Sequence, residues 1–156
     1  MKLLFICTHN RCRSIIAEAV TRQWGAPTLE ARSAGSQPSG VVHPLSLKYL
    51  AEAGANIDGL TSQSWDVHEA WAPDVVITVC DQAAGESCPV WFGRALKVHW
   101  GLSDPSRLAG TDEEIGAAFK ATIATLRSRI EALAAAQPDT LDTESLRALL
   151  TALGEN

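Results

Sequence analysis

The chain has 156 residues, 46% apolar and 20% charged, with a formal net charge of −5. That length supports one domain with a substantial core and is short for two. Scattered basic residues on an acidic chain argue against nucleic-acid binding, which needs a concentrated basic face. No apolar run reaches the roughly 20 residues that span a bilayer, and the first residues lack a signal-peptide pattern, so a cytoplasmic protein without a membrane partner is expected.

In chain order, Leu3 to Ile6 reads as a strand buried on both faces, the pattern of a parallel sheet. Cys7 to Arg13 forms a tight loop, and a helix runs from Ser14 to Trp24, stopped by Gly25 and Pro27. Leu29 to Ala34 alternates and ends at Gly35, which predicts a second strand. A turn-rich loop covers Ser36 to Gly40, and Pro44 to Ala53 is helical with Gly54 as its cap. A short helix is expected over Asp66 to Ala72, then a buried strand from Asp74 to Val79 that ends at Cys80. Leu96 to Val98 is a short strand, and His99 to Pro105 a loop. The acidic turn Thr111 to Glu114 opens a long helix to about Ala136, and Thr143 to Leu153 is a last amphipathic helix. Such an order predicts a three-layer α/β/α fold around a mostly parallel four-stranded sheet. Residues 1–156 are expected to form one domain, with 139–156 as a helical extension. In these sheets ligands bind beyond the carboxyl ends of the strands, where Cys7, Cys80 and the 99–105 loop all fall.

The chemistry concentrates in Cys7-Thr8-His9-Asn10-Arg11-Cys12-Arg13-Ser14. A strand-to-helix loop aims backbone N–H groups and a helix N-terminus at one point, and Arg13 adds a guanidinium suited to a tetrahedral oxyanion. The loop from Thr8 to Ser14 is therefore the expected oxyanion cradle, with Asn10 locking it by side-chain hydrogen bonds. The same positive field should leave Cys7 largely thiolate near neutral pH, with Ser14 bonding that thiolate and capping the helix. Cys12 is either an oxidative guard for Cys7 or a small residue packed under the loop. The four cysteines fall in two pairs, Cys7 with Cys12 and Cys80 with Cys88, and neither has zinc-knuckle spacing. No metal and no bound cofactor are expected.

Over nearly its whole length the chain resembles the low-molecular-weight protein tyrosine phosphatases, and within that fold the arsenate reductases. The resemblance rests on Cys7 to Ser14, Ser33-Ala34-Gly35, Val79-Cys80 followed by Cys88-Pro89, and His99-Trp100-Gly101-Leu102-Ser103-Asp104-Pro105. It implies that Cys7 attacks arsenate while Arg13 holds its oxygens and Asp104 protonates the leaving oxygen. It further implies a relay in which Cys80 and then Cys88 take over the disulfide. An external thiol donor, thioredoxin or glutathione with glutaredoxin, would return the electrons, and phosphate or sulfate would compete for the cradle. Ser106-Arg107 stands where phosphatases of this fold place aromatic residues, which favours the reductase.

Two other readings stay open. One is a phosphatase for phosphotyrosine or a small phosphomonoester, using Cys7, Arg13 and Asp104; the other is an inert oxyanion-binding module. The chain also departs from the pattern. His9 stands where glycine is usual, Arg11 replaces a small or apolar residue and adds rim charge for a dianion, and one extra residue separates Cys80 from Cys88. Some relatives bind potassium through residues matching Asn10, Glu18 and Ser33, with an aspartate where this chain has Gln63, a charge lost here. Glu18 is then read as a solvated helix residue, His43 and His68 as surface residues, and the five tryptophans as core or loop anchors. Trp91 and Phe92 are placed at the mouth of the site, and His99 is a candidate to orient Asp104 or its loop.

Overall fold

The computed structural model describes residues 1–80, 93 and 95–155. Among these residues four strands form one sheet, β1 (Lys2–Ile6), β2 (Glu30–Ala34), β3 (Val75–Thr78) and β4 (Leu96–His99). Their order is β2-β1-β3-β4, and every pair is parallel. The central strand explains its own sequence. Leu3, Leu4, Phe5 and Ile6 are all almost completely buried, because a strand flanked by two others and covered by helices has no solvent face. Full burial of such side chains contributes roughly 1.5–3 kcal/mol each.

Among the described residues four α-helices accompany the sheet: α1 (Arg13–Trp24), α2 (Pro44–Glu52), α3 (Asp112–Ala135) and α4 (Thr143–Gly154). Helix α1 packs on β1 and β2 and against α3; α3 also meets α2 and α4. The long helix starts at a capping box: the Thr111 hydroxyl accepts the Glu114 N–H at 3.1 Å, and Glu114 Oε1 accepts the Thr111 N–H at 3.3 Å. Helix α2 starts differently, with His43 Nδ1 accepting the Leu45 N–H at 3.1 Å. The segment expected as a short helix over 66–72 is a 3₁₀ helix, Trp65–Trp71. It is capped by Ser64 and ends where Ala72 turns left-handed (φ 52°), just before Pro73. At seven residues it is longer than most 3₁₀ runs.

The parallel register carries past the strand ends and gathers the carboxyl-side loops. Cys7 N–H donates to Ala34 O at 3.3 Å, Val79 N–H to Ile6 O at 3.0 Å, and Leu102 N–H to Val79 O at 3.2 Å. The last of these folds the segment after β4 back over β3. That segment is anchored by Trp100, which is fully buried, tilted against Phe5 with ring centroids 6.3 Å apart. Its Nε1 donates to Leu150 O on α4 at 2.8 Å. Gly154 permits this contact, since a Cβ there would lie 2.6 Å from Trp100 Cδ1. The C-terminal helix therefore buttresses the loop that carries Asp104. Trp100→Ala should cost about 3–5 kcal/mol in urea unfolding, whereas Trp100→Phe, which keeps a ring and loses the Nε1 bond, should cost about 1–2 kcal/mol.

Candidate active site

The 7–14 loop is shaped by what holds its carbonyls. Thr8 O accepts the Gln37 N–H at 2.9 Å, His9 O the Ser39 N–H at 3.0 Å, and Arg11 O the His43 N–H at 2.9 Å. In a planar trans peptide the carbonyl and the following N–H point in opposite directions. With these carbonyls drawn toward residues 37–43, the N–H groups of His9, Asn10 and Cys12 turn the other way. They are joined there by the N-terminus of α1, whose N-cap, Cys12, offers no side-chain acceptor. The helix end thus stays open to an anion. Ser14, expected to cap the helix, instead accepts a hydrogen bond from Asn10 at 2.9 Å.

Close approach of the neighbouring chain explains Gly35. A Cβ there would lie 2.4 Å from Thr8 O and 2.6 Å from Cys7 O, distances no side chain tolerates. Its N–H and carbonyl are held by Gln63 O at 2.9 Å and Trp65 N at 3.2 Å, so the backbone has nowhere to retreat. The glycine missing at position 9 is not needed. The left-handed residue of the loop is Asn10 (φ 46°), a residue type that tolerates this conformation. His9 uses its ring instead, Nδ1 donating to Gln37 O at 3.0 Å.

A cavity of about 350 Å³ opens above the loop. Of the expected site residues, Cys7, Thr8, His9, Arg11, Cys12 and Arg13 line it from the loop, and Cys80 and Asp104 from two other strand ends. Asn10 and Ser14 are buried and are not among its lining residues. Cys88, Trp91 and Phe92 lie outside the described residues. Arg13 Nη1 donates to Leu102 O at 2.9 Å and Nη2 reaches Asp104 Oδ2 at 3.5 Å. Asp104 Oδ1 accepts from the Ser106 N–H at 2.9 Å and the Ser106 hydroxyl at 2.6 Å. One oxygen of the carboxyl is therefore fixed, and the other is shared by Arg13 and, at 3.6 Å, Arg107.

The ionisation of Cys7 differs from the reading based on the loop alone. Its thiol is pushed well above the ordinary range, first by a hydrogen bond with Cys80 and then by burial, while Arg13 pulls it down. Loop dipoles and a guanidinium favour a thiolate, but two adjoining sulfurs cannot both carry a charge cheaply. The pair therefore holds at most one thiolate near neutrality. Cys80 also meets the Thr8 hydroxyl at 3.8 Å. Burial pushes the Cys12 thiol up to about 11, which fits the packed residue better than the reactive guard.

Glu18 corrects the sequence reading most sharply. It is only 4% exposed; Ser33 Oγ donates to its Oε1 at 2.6 Å, and Arg22 pairs with its Oε2. The available signal was an acid inside the apolar run Ile15 to Val20, with an arginine four residues on. These contacts also decide against potassium. Arg22 already balances the Glu18 charge and would repel a second cation, and Gln63, whose N–H Asn10 Oδ1 accepts at 2.8 Å, brings no further carboxylate. The residues do not fit that ion. His68 is buried rather than on the surface, its Nε2–H donating to Ser33 O at 3.0 Å. His43 is half-buried, packed against Phe119 and lining the cavity, and burial followed by the Arg11 charge lowers its pKa. His99 Nδ1 meets the Thr78 hydroxyl at 2.8 Å.

Comparison with known proteins follows this geometry. A profile of the low molecular weight phosphotyrosine protein phosphatases matches residues 2–147. The chain is 35% identical over 132 residues to the arsenate reductase of Halalkalibacterium halodurans, covering 85% of this chain and 94% of that protein. A solved structure of an arsenate reductase in the oxidized state is similar with a TM-score of 0.70 at 28% identity, over 87% of this chain and 98% of the other. The thioredoxin-dependent arsenate reductase of Corynebacterium glutamicum is similar with a TM-score of 0.67 at 29% identity, over 90% of this chain and 63% of that one.

Two measurements test the geometry. Gly35→Ala should weaken inorganic phosphate binding at least about tenfold by calorimetry, because an inserted methyl displaces the Cys7–Thr8 backbone. In Cys80→Ala the pH midpoint of Cys7 alkylation should fall below that of the wild type, since the group that raises it most is gone.

Proposed function

This chain belongs to the low molecular weight phosphotyrosine protein phosphatase family, and from that premise we propose that it is an enzyme reducing arsenate to arsenite. The observation that carries the reading is the second thiol, Cys80, beside Cys7 in the cavity above the strand-to-helix loop. Phosphomonoester hydrolysis needs one nucleophile and water. Reduction of an arsenic adduct needs a second sulfur to accept the bond. The rim supports the same choice: among the described residues it carries Arg11, Arg107 and His43, and no aryl-stacking pair.

In the proposed sequence the Cys7/Cys80 pair starts with its single charge on Cys7. That thiolate attacks arsenic(V), and an S–As bond forms as the leaving oxygen departs as water with a proton from Asp104. Loop N–H groups and Arg13 stabilise the charge on the remaining oxygens. Cys80, as thiolate, then attacks Cys7 Sγ. A Cys7–Cys80 disulfide forms, the S–As electron pair passes to arsenic, and arsenite leaves in the trivalent state. Cys88 next attacks Cys80, releasing Cys7 and moving the disulfide to the Cys80–Cys88 pair. An external thiol donor reduces that disulfide. Similarity to a thioredoxin-dependent enzyme favours thioredoxin over glutathione with glutaredoxin.

The reading takes residues 1–156 as one domain, with 139–156 as its extension, acting in the cytoplasm. No described helix is long and apolar enough to cross a membrane. Cys7→Ser should abolish arsenate reduction, and Cys80→Ser should consume no more than one arsenate per enzyme in a single-turnover assay. Asp104→Asn should slow adduct formation about a hundredfold. Multiple turnovers by Cys80→Ser, at the wild-type rate, would refute the relay.

A further inference from the structure

Beneath the loop, hydrogen bonds run in one forced direction. The Gln63 N–H can only donate, so Asn10 Oδ1 is the acceptor at 2.8 Å. The Asn10 amide nitrogen must then donate, to Ser14 Oγ at 2.9 Å and to Ser33 Oγ at 3.0 Å. Ser33 has one hydroxyl proton, and it goes to Glu18 Oε1 at 2.6 Å. Glu18 is thus required to accept. A carboxylate always accepts; a neutral carboxyl could present its own proton and reverse Ser33. Asn10 is the loop's left-handed residue, so the state of Glu18 bears on the backbone that forms the cradle.

A nearly buried carboxylate needs a counter-charge. The charged or titratable groups facing Glu18 are Arg22 on the same helix, Arg32 on β2 and His68 on the 65–71 segment. Arg32 stacks on Trp71 at 4.6 Å, and the Nε2–H of His68 is spent on Ser33 O. Arg22 alone pairs with Glu18. It approaches from solvent, with its side chain 40% exposed, and its other end reaches Asp58 O at 3.5 Å.

We infer that Arg22 is a positioning residue for the oxyanion loop: its fixed charge keeps Glu18 an acceptor, and so holds Asn10 and the loop without an added cation. The inference rests on reading Cys7 to Ser14 as an oxyanion cradle, not on arsenate being the reaction's substrate.

The test measures inorganic phosphate affinity by calorimetry, in potassium and in tetramethylammonium buffers of equal ionic strength, with circular dichroism to confirm folding. Wild-type affinity should agree within about twofold between the two buffers. Arg22→Ala should weaken phosphate binding about tenfold, and Arg22→Lys should stay within about threefold of wild type. The double variant Glu18→Gln/Arg22→Ala should recover to within about threefold, because a glutamine oxygen still accepts from Ser33 and needs no counter-charge. It also decides the matter if Arg22→Ala alone fails to fold. Wild-type-like affinity in Arg22→Ala, a folded double variant as weak as Arg22→Ala, or several-fold stimulation of wild type by potassium would each overturn the inference. Phosphate binding that follows this pattern without arsenate turnover would sink the proposed reaction and leave the role of Arg22 standing.

Discussion

The constraint on which the site depends is the outward pull on three loop carbonyls. Thr8, His9 and Arg11 give their oxygens to the 37–43 segment, and peptide planarity then dictates where the amides point. Amides fixed this way need no reorganisation to meet an anion, which is the physical content of electrostatic preorganisation. Gly35 is part of the same device, since its missing side chain lets the second strand's exit pass within contact of Cys7 and Thr8.

Charge is managed separately on the two sides of the loop. Above it, Arg13 and Arg107 share one oxygen of Asp104 while Ser106 fixes the other. The two arginines and the carboxyl at this side of the cavity are therefore already in mutual contact. Below it, a buried carboxylate is tolerated because every oxygen has a donor and one donor is cationic. The thiol pair adds a third element. Two sulfurs in contact suppress double ionisation, so Cys7 and Cys80 do not both carry a charge at once.

The strands, the long helices and the strand-to-helix loop were legible in the sequence because their signals are local. Leu3 to Ile6 is an uninterrupted apolar run, Thr111 to Glu114 is a capping box, and Cys7 to Ser14 has its chemistry in consecutive residues. Glu18 and His68 were misread for one reason: each looks like an ordinary polar residue on a short element. Their burial comes from partners far along the chain, Ser33 for both and Asn10 beyond it. At positions 9 and 10, residue type marks tolerance of a left-handed backbone but not which loop residue adopts it, which is Asn10.

By itself, the sequence determined the parallel α/β class, the strand-to-helix loop and the set of sulfur and carboxyl groups available for chemistry, since periodicity and contiguous motifs survive without knowledge of distant contacts. Tertiary structure decided how those groups are charged and held. Cys80 is the group that most raises the Cys7 thiol, Trp100 ties the Asp104 loop to the C-terminal helix, and Arg22 reaches a carboxylate the helix pattern gave to solvent. Ionisation and hydrogen-bond direction depend on burial and on partners tens of residues away, and these exist only once the sheet has brought its carboxyl ends together.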